Sequence, residues 1–142
     1  MSETVGLQSH TLFKTPEVAS WFHPQYEEYP LDLRIVDEIR MLDLKDIQGE
    51  LFFGTWCEDS QEQVPRLMKI FDRLELPFSS LLLYAVDQEK KEPQKEIQNF
   101  KIERVPTLVL LKNGEELGRI VEHPQSESLE KDLFSILNTV QP

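Results

Sequence analysis

Leu51-Phe52-Phe53-Gly54-Thr55-Trp56-Cys57-Glu58-Asp59-Ser60, continued by Gln61-Glu62-Gln63-Val64-Pro65, is the stretch around which the rest of this chain is organised. A short apolar run ends in Gly and Trp, and the only cysteine of the protein follows. A polar segment with apolar residues at helical spacing begins at once. A thiol at a strand-to-helix junction sits beside unpaired backbone N–H groups, at the positive end of the helix dipole. This is one of the few settings in which a free cysteine becomes a nucleophile. Three residues on stands Ser60 and not a second cysteine, which restricts what such a thiol can accomplish.

Working outward, the helix after Cys57 carries Val64, Leu67, Met68, Phe71 and Leu74 on one stripe, with Pro65 inside it as a kink. Leu76-Pro77 ends it. Upstream, Glu50–Gly54 reads as a strand, and its continuous apolar run suits burial on both faces. Asp46-Ile47-Gln48-Gly49 separates it from a helix over residues 30–44, opened by Pro30 and striped by Leu31, Ile35, Ile39 and Leu42. Downstream, Ser80–Asp87 is too short and too uniformly apolar for a surface helix and reads as a strand. Gln88–Glu92 is a charged loop, and Pro93 starts a short helix with Ile97 and Phe100. Arg104–Leu111 is a β-rich run, and Asn113-Gly114 between it and the next such run is a hairpin turn. Glu116–Glu122 returns, with Leu117 and Ile120 or Val121 choosing its buried face. Ser126 or Ser128 caps a last helix striped by Leu129, Leu133, Ile136 and Leu137. This order predicts a mixed four-stranded sheet with helices on both faces, a three-layer α/β domain.

Residues 1–29 are the least regular part and read as an N-terminal extension to a domain spanning 30–142. Thr15-Pro16 opens a helix that His23-Pro24 is expected to stop. Trp21, Phe22, Tyr26 and Tyr29 either pack the extension onto the domain or form a docking patch for a partner.

With these features in place, the chain resembles the thioredoxin family over residues 47 to 138, and more loosely from residue 30. Trp56-Cys57-Glu58-Asp59-Ser60 occupies the place of the family's Trp-Cys-x-x-Cys, as a Cys-x-x-Ser variant. Pro65 stands at the offset of the proline that kinks the family's active-site helix. Val105-Pro106-Thr107 resembles the cis-proline segment, and Lys112-Asn113-Gly114-Glu115 the hairpin turn. The resemblance implies a thioredoxin-like α/β/α fold and a cis Val105–Pro106 bond. It also implies a substrate site in which Trp56, Val105 and Pro106 hold an extended polypeptide beside Cys57. Two departures accompany it: Ser60 replaces the resolving cysteine, and the family's buried acid has no counterpart around Leu51.

Chemistry at the motif is set by one thiol. The helix dipole and the Ser60 hydroxyl favour the thiolate of Cys57, while Glu58 and Asp59 oppose it by like charge. Cys57 would attack a disulfide to form a mixed disulfide, and an external thiol would resolve it, since Ser60 cannot. Asp59 is either a first-turn acid suited to the helix N-terminus or a proton carrier for the thiol, which makes Cys57, Ser60 and Asp59 the candidate catalytic set. His10, His23 and His123 lack metal-ligand spacing, although His123 falls near the same end of the sheet by topology. No phosphate loop, dinucleotide fingerprint or hydrolase elbow is present, so no cofactor and no metal is expected. An iron–sulfur cluster, a dianionic group, is disfavoured by Glu58-Asp59.

Composition narrows the partners. The 142 residues fit one domain, of a size that buries roughly 68–70% of its extended surface. A net charge of −11 argues against nucleic acid and anionic membrane, since the nearest basic pair, Lys90-Lys91, is flanked by Glu89 and Glu92. No signal-like N-terminus and no run of about 20 apolar residues is visible. One cysteine excludes an internal disulfide framework, so a reducing cytoplasm is the expected location. Two functions fit: a single-cysteine thiol–disulfide oxidoreductase, or a binding module of the same fold that grips extended peptide without turnover.

Overall fold

The computed structural model describes residues 4–76 and 80–139. After β1 (Gly6–Gln8) and a 3-10 turn (His10–Lys14) come α1 (Pro16–Glu28) and α2 (Leu33–Arg40). The central unit is β2 (Ile47–Phe53), α3 (Glu58–Leu74), β3 (Leu81–Ala85) and α4 (Gln94–Phe100). The hairpin β4 (Thr107–Lys112) and β5 (Glu115–Val121) follows, and α5 (Leu129–Asn138) closes the fold. The sheet order is β1-β3-β2-β4-β5. Only β2 and β3 are parallel, as the helical crossover between them requires. The β2–β4, β4–β5 and β1–β3 pairs are antiparallel.

Side chains alternate cleanly between the two faces. Leu51, Phe53, Leu81, Leu83, Leu108 and Leu110 join one large core with residues from α1, α2, α3 and α5. Phe52, Val86, Val109 and Leu111 join a smaller one with Ile97 of α4, Ile102 and Val105. The site lies where this smaller core meets the start of α3, since Trp56 and Cys57 pack against it.

The structure departs from the sequence expectations at four places. The sheet has five strands and not four, because Gly6–Gln8 pairs with β3 at its outer edge. Three residues carry no readable alternation, so only the partner strand defines them. Second, α1 runs through Pro24 to Glu28 and is not stopped there. A proline costs the helix one donor and its local geometry, and here aromatic packing offsets that. Phe22 stacks on Phe13 at 4.4 Å and on Tyr26 at 5.7 Å, and the Tyr26 hydroxyl donates to Asp72 of α3 at 2.6 Å. Third, α2 is confined to Leu33–Arg40. The Asp32 side chain caps it by accepting from Ile35 N–H at 3.2 Å, and the preceding residues are claimed by another partner. Buried Glu130 of α5 accepts from the Tyr29 hydroxyl at 2.5 Å and from Asp32 N–H at 2.8 Å. Fourth, α3 ends at Leu74 with Glu75 in the left-handed region at φ 60, ahead of Leu76; Pro77 lies outside the described residues.

The aromatic group of the first 29 residues is largely inward. Phe13 and Phe22 are core residues, and Trp21, Tyr26 and Tyr29 pack against that core.

Candidate active site

A tight turn carries the chain from β2 to α3. Cys57 N–H donates to Gly54 O at 3.1 Å, and the buried Ser60 hydroxyl accepts from Gly54 N–H at 3.1 Å. Gln61 Nε2 donates to Thr55 O at 2.8 Å. The Trp56 indole N–H donates to Val86 O at 2.9 Å and ties the turn to the end of β3. Gly54 is required here, since a Cβ would come within 2.5 Å of the Trp56 ring. Cys57 is the N-cap residue of α3, so its thiol sits at the positive end of a 17-residue helix.

The second wall is the segment before β4. The Val105–Pro106 peptide bond is cis, and both residues are buried. The thiol of Cys57 approaches Val105 O at 3.7 Å. Thr107 Oγ1 donates to Arg104 O at 2.7 Å, and Glu122 N–H donates to Pro106 O at 2.7 Å. The end of β5 is thereby latched to the proline segment. An open cleft of about 430 Å³ results, lined by Trp56, Cys57, Asp59, Lys90, Arg104, Val105 and Glu122.

The six residues singled out in the sequence are therefore distributed as follows. Cys57, Trp56, Asp59 and Val105 line one cleft. Pro106 is buried behind Val105. Ser60 faces inward, with its oxygen on Gly54 N–H, and is fully buried. Its acceptor capacity serves the turn.

Beside Asp59 and His123, both offered by the sequence, Arg104, Glu122 and Gln63 are residues that sequence reasoning missed. Arg104 pairs with Glu122 at 3.3 Å, and Asp59 faces His123 at 3.5 Å. Gln63, buried one turn further along α3, lies 3.5 Å from the other ring nitrogen of His123. Gln63 looked like one more polar residue of a helix, and its only signal was its position beside the apolar stripe. The strand before the motif also holds a buried acid, although Leu51 itself is apolar. Glu50 is only 7% exposed. Burial pushes its carboxyl upward, and hydrogen bonds from Tyr84 and Gln48 offset part of that. Burial next to Glu50 also pushes Tyr84 up to about 12. Glu50 shares a face with Phe52, whose ring stacks on Tyr84 at 5.0 Å and is the next residue on that face toward Cys57. Among the described residues, no group of three or more His, Cys, Asp or Glu is placed to hold a metal ion. No described helix is long and apolar enough to cross a membrane.

Residues 50–135 match the Thioredoxin family. A thioredoxin of Chlamydia muridarum is 30% identical over 80 residues, covering 56% of this chain and 72% of that protein. Among solved structures, a protein of unknown function from Pseudomonas aeruginosa superposes with a TM-score of 0.58 at 18% identity, covering 87% of this chain and 81% of that one. The germline-specific thioredoxin Deadhead of Drosophila melanogaster aligns at 17% identity over 77% of this chain and 91% of its own, with a TM-score of 0.47. The chain belongs to the thioredoxin family. Its fold supports a function of the thiol–disulfide oxidoreductase type acting on thiol or protein substrates, and the single cysteine is consistent with that.

Proposed function

We propose that this protein exchanges disulfides through Cys57 alone. The observation that carries the reading is the placement of the only thiol at the N-cap of α3, open to a cleft and against the Val105 carbonyl. The Cys57 thiolate attacks one sulfur of a substrate disulfide, a new S–S bond forms, and the other substrate sulfur leaves as a thiolate. An external thiolate then attacks the mixed disulfide and Cys57 departs as a thiolate. Each step exchanges one S–S bond for another, so the protein itself is neither oxidised nor reduced over the cycle.

Trp56 forms one side of the cleft, and Val105 with Pro106 offers backbone to an extended polypeptide substrate. A substrate N–H would take the Val105 carbonyl that the thiol now approaches. Asp59, which lines the same cleft, is our candidate to take the proton released as the thiol ionises. Ser60 serves the reaction by holding the turn. We read 1–29 as an N-terminal extension to a thioredoxin-like domain of 30–142, joined to it through the edge strand β1 and the helix α1, and a reducing cytoplasm as the compartment that keeps a lone thiol free.

A second reading, a peptide-binding module without turnover, is favoured by the commitment of the Ser60 oxygen to Gly54 and by the absence of a resolving cysteine. Incubation of the reduced protein with glutathione disulfide or with a peptide disulfide, read by intact mass, separates the two. Mixed disulfide on Cys57 that an added thiol releases supports exchange. A thiol that alkylates no faster than a free cysteine of about 8.5, with no mixed disulfide formed, overturns it.

A further inference from the structure

The cluster of Asp59, Gln63 and His123 beside the thiol is not accounted for by the exchange reaction itself. His123 follows β5 and is 57% exposed, yet both ring nitrogens are engaged from α3. Nε2 lies 3.5 Å from Asp59 Oδ1, and Nδ1 lies 3.5 Å from Gln63 Nε2. The latch from Glu122 N–H to Pro106 O holds the adjoining residue against the cleft. Gln63 is 4% exposed, and its Oε1 is buried with no hydrogen-bond partner among the described residues.

An amide that faces a histidine nitrogen can present either of two groups. With Nε2 toward Nδ1, Gln63 donates to the lone pair of a neutral imidazole. With Oε1 toward Nδ1, it accepts from the N–H that only the other tautomer or the imidazolium carries. The second arrangement gives the orphaned acceptor a donor and puts the amide NH2 in its former place, so the orientation follows which group the imidazole offers. It also gives an imidazolium two acceptors at once, Gln63 Oε1 and Asp59 Oδ1. The other charged groups that line the cleft with Asp59 are Lys90 and the paired Arg104 and Glu122; Glu58, in the first turn of α3, lies instead against Ser20 and Trp21 of α1.

We propose that Gln63, His123 and Asp59 form a pH-responsive positioning unit, in which the buried amide turns with the protonation of His123 and the imidazolium neutralises Asp59 beside Cys57. The inference rests on the reading of Cys57 as the nucleophile. His123 is a positioning residue, because it acts on the thiol through Asp59. At lower pH the paired Asp59 no longer repels the developing thiolate. As pH rises and His123 loses its proton, the bare carboxylate faces the cleft, and the gain in thiolate with pH is partly offset.

The test is the rate of iodoacetamide alkylation of Cys57 against pH in the full chain, for the wild type and for His123→Gln, Asp59→Asn and the double variant. His123→Gln is expected to slow alkylation at the acid end of the profile by about threefold, the scale of one partly solvated charge pair. In the Asp59→Asn background the same change should have almost no effect. Gln63→Glu, which presents an acceptor in either orientation, should carry the histidine-dependent step to higher pH. The ring nitrogen shifts of His123 in the unmutated protein should report N–H at both positions over the same range. Superimposable profiles for wild type and His123→Gln, or equal effects of His123→Gln with and without Asp59, overturn the proposal. Alkylation needs no disulfide substrate. Coupling without mixed disulfides would therefore sink the exchange reaction alone, and mixed disulfides without coupling would sink only the positioning unit.

Discussion

The two faces of the sheet share one alternation of side chains, and they differ in what covers them. On one face, α1, α2, α3 and α5 close over Leu51, Phe53, Leu83, Leu108 and Leu110, all at 0–1% exposure. On the other, a single short helix, α4, and the loops around Val105 cover Phe52, Val86, Val109 and Leu111. The thinner face carries Trp56 and Cys57 at its margin and keeps a half-exposed cleft open. It also carries the buried acid, Glu50, with an unpartnered oxygen among the described residues. Stability is concentrated on the thick face and chemistry on the thin one. A domain needs a rigid support for a reactive residue, but the reactive residue itself must stay accessible.

This division can be broken by experiment. Cys57→Ser should abolish mixed-disulfide formation altogether while changing unfolding free energy by less than about 1 kcal/mol, because a half-buried Sγ is replaced by a similar group. Intact mass and urea titration read the two effects. If stability fell with activity, the site would be part of the structural core. On the thick face, Phe53→Ala should cost about 3–5 kcal/mol, as for other fully buried aromatic residues, and denaturant melts would show it as a lower midpoint.

Glu130→Ala should cost about 2 kcal/mol, since two partly buried donors, the Tyr29 hydroxyl and Asp32 N–H, would lose their acceptor. The Tyr29 hydroxyl, held protonated well above its usual range first by burial and then by its bond to Glu130, should titrate earlier in that variant. Ultraviolet absorbance against pH measures this directly.

The smallest effect belongs to Glu50. Its folded carboxyl holds a proton more tightly than the unfolded chain does. Between the unfolded and folded values the native state binds more protons, so stability is greatest below the ordinary carboxylate range and declines as pH rises through the folded value. Glu50→Gln should remove that decline and stabilise the protein at pH 7 by about 1 kcal/mol, near the lower end of the cost of an unsatisfied buried group. The gain should vanish near pH 3, below the ordinary glutamate value of about 4.3. A melting curve that tracks the wild type at both pH values would show that Glu50 is satisfied and solvated.

Much of the fold was legible because local patterns carry it. The stripe of α3, the apolar run of β2, the Asn113-Gly114 turn and the Ser128 cap each involve residues within a few positions of one another. Of the two serines the sequence offered as the cap, Ser128 is the one that accepts from Lys131 N–H, at 3.1 Å. Cys57 was legible as a candidate from its strand-to-helix junction, whereas Trp56 and the segment Val105-Pro106 became candidates only through the family resemblance. The chain's acidity was legible too, but not its arrangement. Two cations, Lys90 and Arg104, were drawn from separate loops into the cleft of a strongly acidic protein.

What the sequence determined by itself, then, was every element after β1 and the 3-10 turn, their order, and the single thiol at the start of a helix. Each depends on periodicity, capping or backbone stereochemistry acting over one or two turns. Tertiary structure alone decided the fifth strand, the passage of α1 through Pro24, the burial of Glu50 and the meeting of Gln63 with His123, 60 residues apart. Those outcomes depend on what the remainder of the chain places opposite a residue. A polar side chain in a helix or a strand shows the same local pattern whether water or a neighbouring element faces it, so its partner is settled only when the sheet and helices pack.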